Sequence, residues 1–139
     1  MIYILCRDYD MEYCDVDEVI VMASTKIKNI LDYIYENIQI YNLWNYKIVI
    51  LPENNPVCSD WFVPDEKMYK RFVDYTPSFF LWEDNKMECL ETGSEMLLFC
   101  DKVKEKKEKE DSEREKARKI RQEREERELF EKLKAKYGE

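Results

Sequence analysis

Cysteine is the residue type in this chain with the clearest capacity for chemistry, because a thiolate is both a nucleophile and a metal ligand. The five cysteines are odd in number and no two are spaced as C-x-x-C; they are Cys6, Cys14, Cys58, Cys89 and Cys100. Carboxylates near Cys6 and Cys14 are expected to raise the thiol pKa rather than lower it. This usage is typical of free, unreactive thiols in a reducing cytoplasm. A single reactive cysteine, Cys58 above all, is the alternative.

Histidine is absent from the chain, and glycine occurs twice, at Gly93 and Gly138. Without histidine there is no Ser-His or Cys-His nucleophile pair and no zinc site of the common type. Loops that cradle phosphate need glycines so that backbone can approach the ligand. The sequence therefore predicts no catalytic residues, no metal and no cofactor.

An acidic segment in residues 7–18 is the densest cluster of like charge near the N-terminus. It contains six carboxylates: Asp8, Asp10, Glu12, Asp15, Asp17 and Glu18. Clustered oxygens can bind hard cations, but a calcium loop also needs a glycine at its sharp turn. The remaining interpretations are a solvated loop and a docking site for a basic partner.

Aromatic side chains outside the regular elements are candidate anchors for a partner protein. Tyr9, Tyr13, Trp61 and Phe62 lie in predicted loops, whereas most other aromatic residues are expected in the core. Together with the acidic loop and the C-terminal end, they form the predicted partner-binding set: Asp8, Tyr9, Asp10, Glu12, Tyr13, Asp15, Trp61, Phe62, Leu129, Phe130, Leu133 and Tyr137.

The last 39 residues, 101–139, contain 28 charged side chains and almost nothing to bury. Acids stand four residues before bases at several positions, such as Glu105 and Lys109, which supports a solvated helix. Leu129, Phe130, Leu133 and Tyr137, here named the tip stripe, bring apolar side chains back at helical spacing. We therefore predict a compact domain in residues 1–100 and a charged helical extension in residues 101–139. The end of the helix that carries the tip stripe either docks in a groove of a partner or frays.

Strands are predicted over residues 1–6, 18–22 and 46–51, where short apolar runs are rich in β-favouring residues. A helix is predicted to begin at Ser24 or Thr25, because an apolar stripe recurs at helical spacing: Ile27, Ile30, Leu31, Ile34 and Ile38. Residues 57–63 are predicted to be irregular but packed. A second helix is expected to begin near Pro64 and to bury Met68, Phe72 and Val73.

The next predicted feature is a hairpin, with strands at 78–82 and 86–91 flanking Glu83-Asp84-Asn85. Thr92 and Glu95 have the spacing of a capping box, which predicts the start of the last helix. That helix is expected to bury one face, formed by Met96, Phe99, Cys100 and Val103, and to continue into the extension.

From about residue 18 to 103 this order of elements resembles the thioredoxin fold, an α/β sheet with flanking helices. Thr76-Pro77 stands where that family has the residue pair with cis-proline, and SFFLWEDNKMECLETGSEMLLF is similar to its closing hairpin, glycine and final helix. Ala23-Ser24-Thr25-Lys26 replaces the C-x-x-C motif, so the resemblance implies the fold without dithiol exchange. The start of the chain also resembles small uncharacterised phage proteins, and the scarcity of glycine and alanine is typical of AT-rich genomes.

These features favour a cytoplasmic, non-enzymatic protein-interaction module, such as a phage accessory or inhibitor protein. The alternatives are a thioredoxin-like oxidoreductase that uses one cysteine, and an acidic mimic of nucleic acid. The partner is expected to be another protein, basic or nucleic-acid-handling, and self-association is a further option. The net charge of −10 in residues 1–100 disfavours direct nucleic-acid binding. No apolar run is long enough for a membrane span.

Overall fold

The computed structural model describes residues 1–8, 18–53, 59–75 and 85–138, with only the backbone described at Asp8 and Glu18. The chain is a mixed α/β protein with a long C-terminal helix. Its elements are β1 (Ile2–Asp8), β2 (Glu18–Ser24), α1 (Ile27–Asn37), a 3-10 turn (Ile40–Asn45), β3 (Tyr46–Leu51), β4 (Asp60–Phe62), α2 (Met68–Asp74) and α3 (Lys86–Tyr137).

The four strands form one sheet in the order β2-β1-β3-β4, and each neighbouring pair is antiparallel. Because β1 lies between β2 and β3, those two strands run parallel to each other without touching. Helix α1 connects them along the chain, an arrangement known as a split βαβ unit. The β1–β2 pairing shifts register between Leu5 and Cys6, which leaves Val21 as the extra residue of a bulge.

One face of the sheet carries the core. Tyr3 and Leu5 of β1, Ile48 and Ile50 of β3, and Phe62 of β4 are all buried on it. Strand alternation places these side chains on a common face, because residues two apart point the same way. The strands predicted at residues 1–6, 18–22 and 46–51 are confirmed. The helix stripe is confirmed as well, and it packs on this face with all five members buried: Ile27, Ile30, Leu31, Ile34 and Ile38.

The predicted strand at residues 86–91 is wrong, because these residues are the first turns of α3. From there to residue 103 the buried and half-buried positions recur with one helical period: Glu88, Cys89, Thr92, Gly93, Glu95, Met96, Phe99, Cys100 and Val103. That period runs unbroken through Thr92 and Gly93, which lie buried inside the helix and do not cap it. Residues 78–82 and Thr76-Pro77 lie outside the described residues.

Four smaller predictions need correction. Residues 60–62 form the short strand β4, where an irregular segment was predicted. Helix α2 begins at Met68, after a turn in which the Asp65 carboxylate accepts a hydrogen bond from the Lys67 amide at 2.9 Å. Val73 is 54% exposed, although it was predicted to be buried together with Met68 and Phe72. The first helix begins at Ile27, not at Ser24 or Thr25 as predicted. The Ser24 hydroxyl accepts a hydrogen bond from the Lys26 amide at 3.1 Å, just before the helix.

The chain divides into two compact units, Met1–Lys104 and Glu105–Glu139. The first contains the sheet and its core, including Val103, which is 3% exposed. In the second, the described side chains are predominantly exposed and the backbone is helical through Tyr137. Two of its ion pairs join Glu115 to Arg118 at 2.6 Å and Arg124 to Glu128 at 4.0 Å. Exposed pairs of this kind contribute little to stability.

Candidate functional site

Trp61 is the most prominent exposed aromatic side chain on the sheet. It lies in β4, directly opposite Val49 of β3, and 58% of its surface is exposed. The ammonium of Lys47 lies 5.7 Å from the centre of the indole ring, within the range of a cation–π contact. This contact orients the ring while leaving most of it open to a partner.

The surface around Trp61 is an apolar row across the sheet. Ile4 is paired with Val49, and Val49 with Trp61, so the three side chains point to the face opposite the core. Ile2 and Leu51 form the next pair along the same strands. Ile2 is 38% exposed, whereas Ile4, Val49 and Leu51 are partly buried. We name these five residues the outer patch: Ile2, Ile4, Val49, Leu51 and Trp61.

Phe62 is not an exposed anchor, and that prediction is wrong. Its side chain is 4% exposed and its ring packs edge-on against Phe72, with the ring centres 5.8 Å apart. The physical reason is the strand itself. Because Trp61 and Phe62 are consecutive in β4, they must point to opposite faces of the sheet.

A half-open cavity of about 620 Å³ lies beside the core, between the start of α1 and the first turns of α3. Three carboxylates from α3, Glu88, Glu91 and Glu95, line one side, and Lys26 and Lys28 line the other. Its lining thus has charges of both signs, and Lys28 also pairs with Asp32 at 3.5 Å. Among the described residues, no three Cys, Asp or Glu side chains lie close enough together to hold a metal ion.

A buried hydrogen bond forms part of the base of this cavity. The hydroxyls of Tyr3 and Thr92 lie 2.6 Å apart, and both residues are 1% exposed. Burial raises the pKa of the Tyr3 phenol above its usual value, although the bond to Thr92 opposes that shift. Tyr3 therefore stays neutral across the physiological pH range. The bond joins β1 to α3 and satisfies two polar groups that would otherwise be buried without partners.

The described cysteines are thiols and not disulfides, and two of them have raised pKa values. Cys6 and Cys100 are buried, while Cys89 is partly exposed. Burial raises the pKa of Cys89, and burial is also the largest cause of the raised pKa of Cys100. The Tyr69 amide donates to the Cys100 sulphur at 3.2 Å, which opposes that shift. Neither thiol has the lowered pKa of a nucleophile.

At pH 8 we expect Cys100 to react with iodoacetamide more slowly than the same residue in the unfolded chain, because its pKa is raised and its side chain is buried. A raised pKa leaves a smaller thiolate fraction at that pH, and the alkylation rate should climb only as the pH rises further. Mass spectrometry of the peptides against time measures this, with protein in guanidinium as the reference. Fast alkylation of folded Cys100 at pH 7 would contradict the prediction and favour a thiol-dependent activity.

The tip stripe is exposed along its whole length. Leu129 is 57% exposed, Phe130 65%, Leu133 47% and Tyr137 74%. At about 100° per residue these positions fall on one side of the helix. The ammonium of Lys136 lies 5.1 Å from the centre of the Tyr137 ring. An apolar stripe of this kind is suited to contact with another helix.

The side chains of the other predicted contact residues are not described by the structure. Asp8 ends β1, but its side chain is not described, and five residues lie outside the described ranges: Tyr9, Asp10, Glu12, Tyr13 and Asp15. Cys14 and Cys58 also lie outside them. Trp44, in contrast, is an exposed aromatic residue that the sequence prediction missed, with 67% of its surface open in the 3-10 turn. Its neighbours are the apolar Leu43 and the polar Asn45, and this short segment has no period from which exposure could be predicted.

Within the described residues, no helix has the length and apolarity that crossing a bilayer requires. Comparison of the chain with protein-family models, with curated proteins and with solved structures finds no match in any of the three.

Proposed function

We propose that this chain is a non-enzymatic protein-interaction module, an accessory or inhibitory protein whose Met1–Lys104 unit binds a partner through the outer patch. The observation that carries the proposal is Trp61, which is 58% exposed in a strand and oriented by Lys47. Tryptophan is enriched among residues that dominate binding energy, because it buries a large area with little loss of conformational entropy. A partner that covers Trp61 would also cover the adjoining apolar row.

The charge of the molecule supports a basic partner. Residues 1–100 have a net charge of −10, and the acidic segment 7–18 begins at the end of β1, the strand that carries Ile2 and Ile4. Opposite charge accelerates encounter and selects among partners more than it adds affinity. In this proposal the outer patch supplies most of the affinity and the acidic residues supply selectivity. A nucleic-acid-handling protein is one class with the required basic surface.

Three finer predictions accompany this proposal. The strand–helix–strand order of β2, α1 and β3 supports the thioredoxin-like arrangement, whereas the position of β1 between β2 and β3 and the helical start at Lys86 count against it. The phage origin depends on composition and on the resemblance at the start of the chain. The single-cysteine alternative loses support at Cys89 and Cys100.

Replacing Trp61 with alanine is expected to weaken partner binding at least about tenfold, since truncating a central aromatic anchor commonly costs more than 1 kcal/mol. The partner is first captured in the native host by a photocrosslinking residue in place of the exposed Ser59, two residues before Trp61, and identified by mass spectrometry. Its affinity for the purified chain and for W61A is then measured by calorimetry.

Trp44→Ala is the matched control, because Trp44 is the same residue type with similar exposure in a different element. It should leave the affinity within about twofold of wild type, as expected for exposed residues outside a contact. Unchanged affinity of W61A, or a loss confined to W44A, would refute the outer patch as the binding surface.

A further inference from the structure

The tip stripe and the charges around it point to a partner of defined chemistry. Residues 123–128, just before the stripe, contain four glutamates and two arginines, a net charge of −2. Residues 129–138, which contain the stripe, have three lysines and one glutamate, a net charge of +2. The Glu105–Glu139 unit therefore has an acidic block at 123–128 followed by a basic block at 129–138 and then Glu139, with exposed apolar side chains beginning where the two blocks meet.

We propose that the tip stripe binds the tip stripe of a second copy of this chain, with the two helices antiparallel. This proposal rests on the interaction role proposed above and names one partner, a second copy of this chain. The contact residues differ from those of the outer patch. In an antiparallel pair centred between Phe130 and Leu133, residue 137 of one copy lies opposite residue 126 of the other. Lys134 then lies within a helical turn of Glu126 of the second copy, and Lys136 lies within a turn of Glu125 and Glu126.

The charge pattern decides the direction of pairing. A parallel pair would place the four glutamates of block 123–128 beside their own copies, and likewise the three lysines of block 129–138. Like charges at neighbouring positions are destabilising, while opposite charges stabilise and fix register. The antiparallel pair replaces both repulsions with attractions and still brings Leu129, Phe130 and Leu133 into contact across the axis.

The size of the stripe sets the strength of the pairing. Stable interfaces bury roughly 1,200 Å² or more, which is beyond what four side chains on two to three helical turns of each copy provide. We therefore expect weak, concentration-dependent dimerisation, with a Kd of about 10 µM to 1 mM. Because the charged residues are exposed, added salt should weaken it further.

Sedimentation equilibrium of the full chain tests the proposal. The weight-average mass is expected to rise from the monomer value of 17.1 kDa toward twice that value as concentration increases. L133E should stay at the monomer mass at every concentration, because a carboxylate in the middle of the stripe would be buried without a partner. A wild-type chain that remains at 17.1 kDa up to about 1 mM overturns the proposal.

Ile120→Glu is the matched control, since Ile120 is 67% exposed on the same helix but lies on a different side from the stripe. It should dimerise as wild type does. Dimerisation lost equally in I120E and L133E would show that the stripe is not the contact surface. Circular dichroism of each variant at low concentration confirms that the helix is retained.

Charge reversal distinguishes the two directions of pairing. The double variant K134E/K136E should dimerise at least about tenfold more weakly, because glutamates would then face glutamates in the antiparallel pair. Adding E125K and E126K should restore dimerisation. A parallel pair would not respond in this way, since each block there faces only its own copy.

A photocrosslinker in place of Tyr137 gives an independent readout and leaves the side-chain charges unchanged. The expected adduct lies within residues 123–128 of the second copy. An adduct within residues 133–138 would establish a parallel pair, and an adduct in the Met1–Lys104 unit would establish a different docking surface. Either result overturns the proposal, whereas it does not affect the separate prediction for Trp61.

Discussion

Replacing Ile48 with alanine is expected to lower the free energy of unfolding of the Met1–Lys104 unit by about 3 kcal/mol, within the range for large-to-small core substitutions. Ile48 is 0% exposed in β3, where it pairs with Leu5 on one side and Phe62 on the other. Its position at the centre of the core face leaves the neighbouring strands little freedom to close the resulting cavity. Urea denaturation followed by tryptophan fluorescence measures the loss.

Val49→Ala is the control on the adjacent residue. Val49 points to the opposite face of the sheet and is only partly buried, so its truncation should cost less than about 1 kcal/mol. The difference between the two losses of stability tests whether one face of the sheet is packed as a core while the other face is not. Equal losses would show that the outer patch is as tightly packed as the core, and would remove the basis for a binding surface there.

Replacing Gly93 with leucine is expected to destabilise the same unit by about 1 kcal/mol net. A Cβ at position 93 would lie 3.2 Å from Cε1 of Phe72 and 3.9 Å from Cε2 of Tyr69, so the larger side chain must push α2 away from α3. Overpacking of this kind costs about 1–3 kcal/mol, which exceeds the roughly 0.8 kcal/mol gained by removing a glycine from a helix interior. The midpoint of urea unfolding reports the difference.

Ser94→Leu provides the comparison, because Ser94 is the next residue of α3 and is exposed. There the helix gains a better helix-forming residue with nothing to displace, and the stability should change by less than about 0.5 kcal/mol. If G93L were as stable as wild type, the close approach of α2 to α3 at Gly93 would not exist in solution.

The local patterns of the sequence predicted most elements of the first unit correctly. The runs at 1–6, 18–22 and 46–51 are strands, and the isoleucine-rich stripe is the buried face of α1. Most of the described charged residues from 105 onward are exposed, as expected of a segment with almost nothing to bury. In each case the prediction succeeded because it used only the spacing of apolar residues along the sequence. A period of 2 indicates a strand, a period of 3.6 indicates a helix, and the absence of apolar residues indicates an exposed segment.

The errors occurred where two local signals competed or where a short element left no period to detect. At residues 86–95, a turn-like triplet and a capping-box spacing outweighed a helical period that continues from Cys89 to Val103. At 60–62, three residues are too few to show alternation, so Trp61 and Phe62 were predicted to share one environment. Pairing with β3 places them on opposite faces.

The sequence by itself determined that this chain has an α/β domain followed by a charged helix with apolar side chains near its end. It also determined that no histidine-dependent chemistry is available, because composition alone is sufficient for that exclusion. Only the tertiary structure decided that Trp61 is exposed while Phe62 is buried, and that the Phe72 ring packs closely against Gly93. The physical reason is that exposure and close approach depend on which distant segments pack together, and the spacing of residues along a single segment does not contain that information.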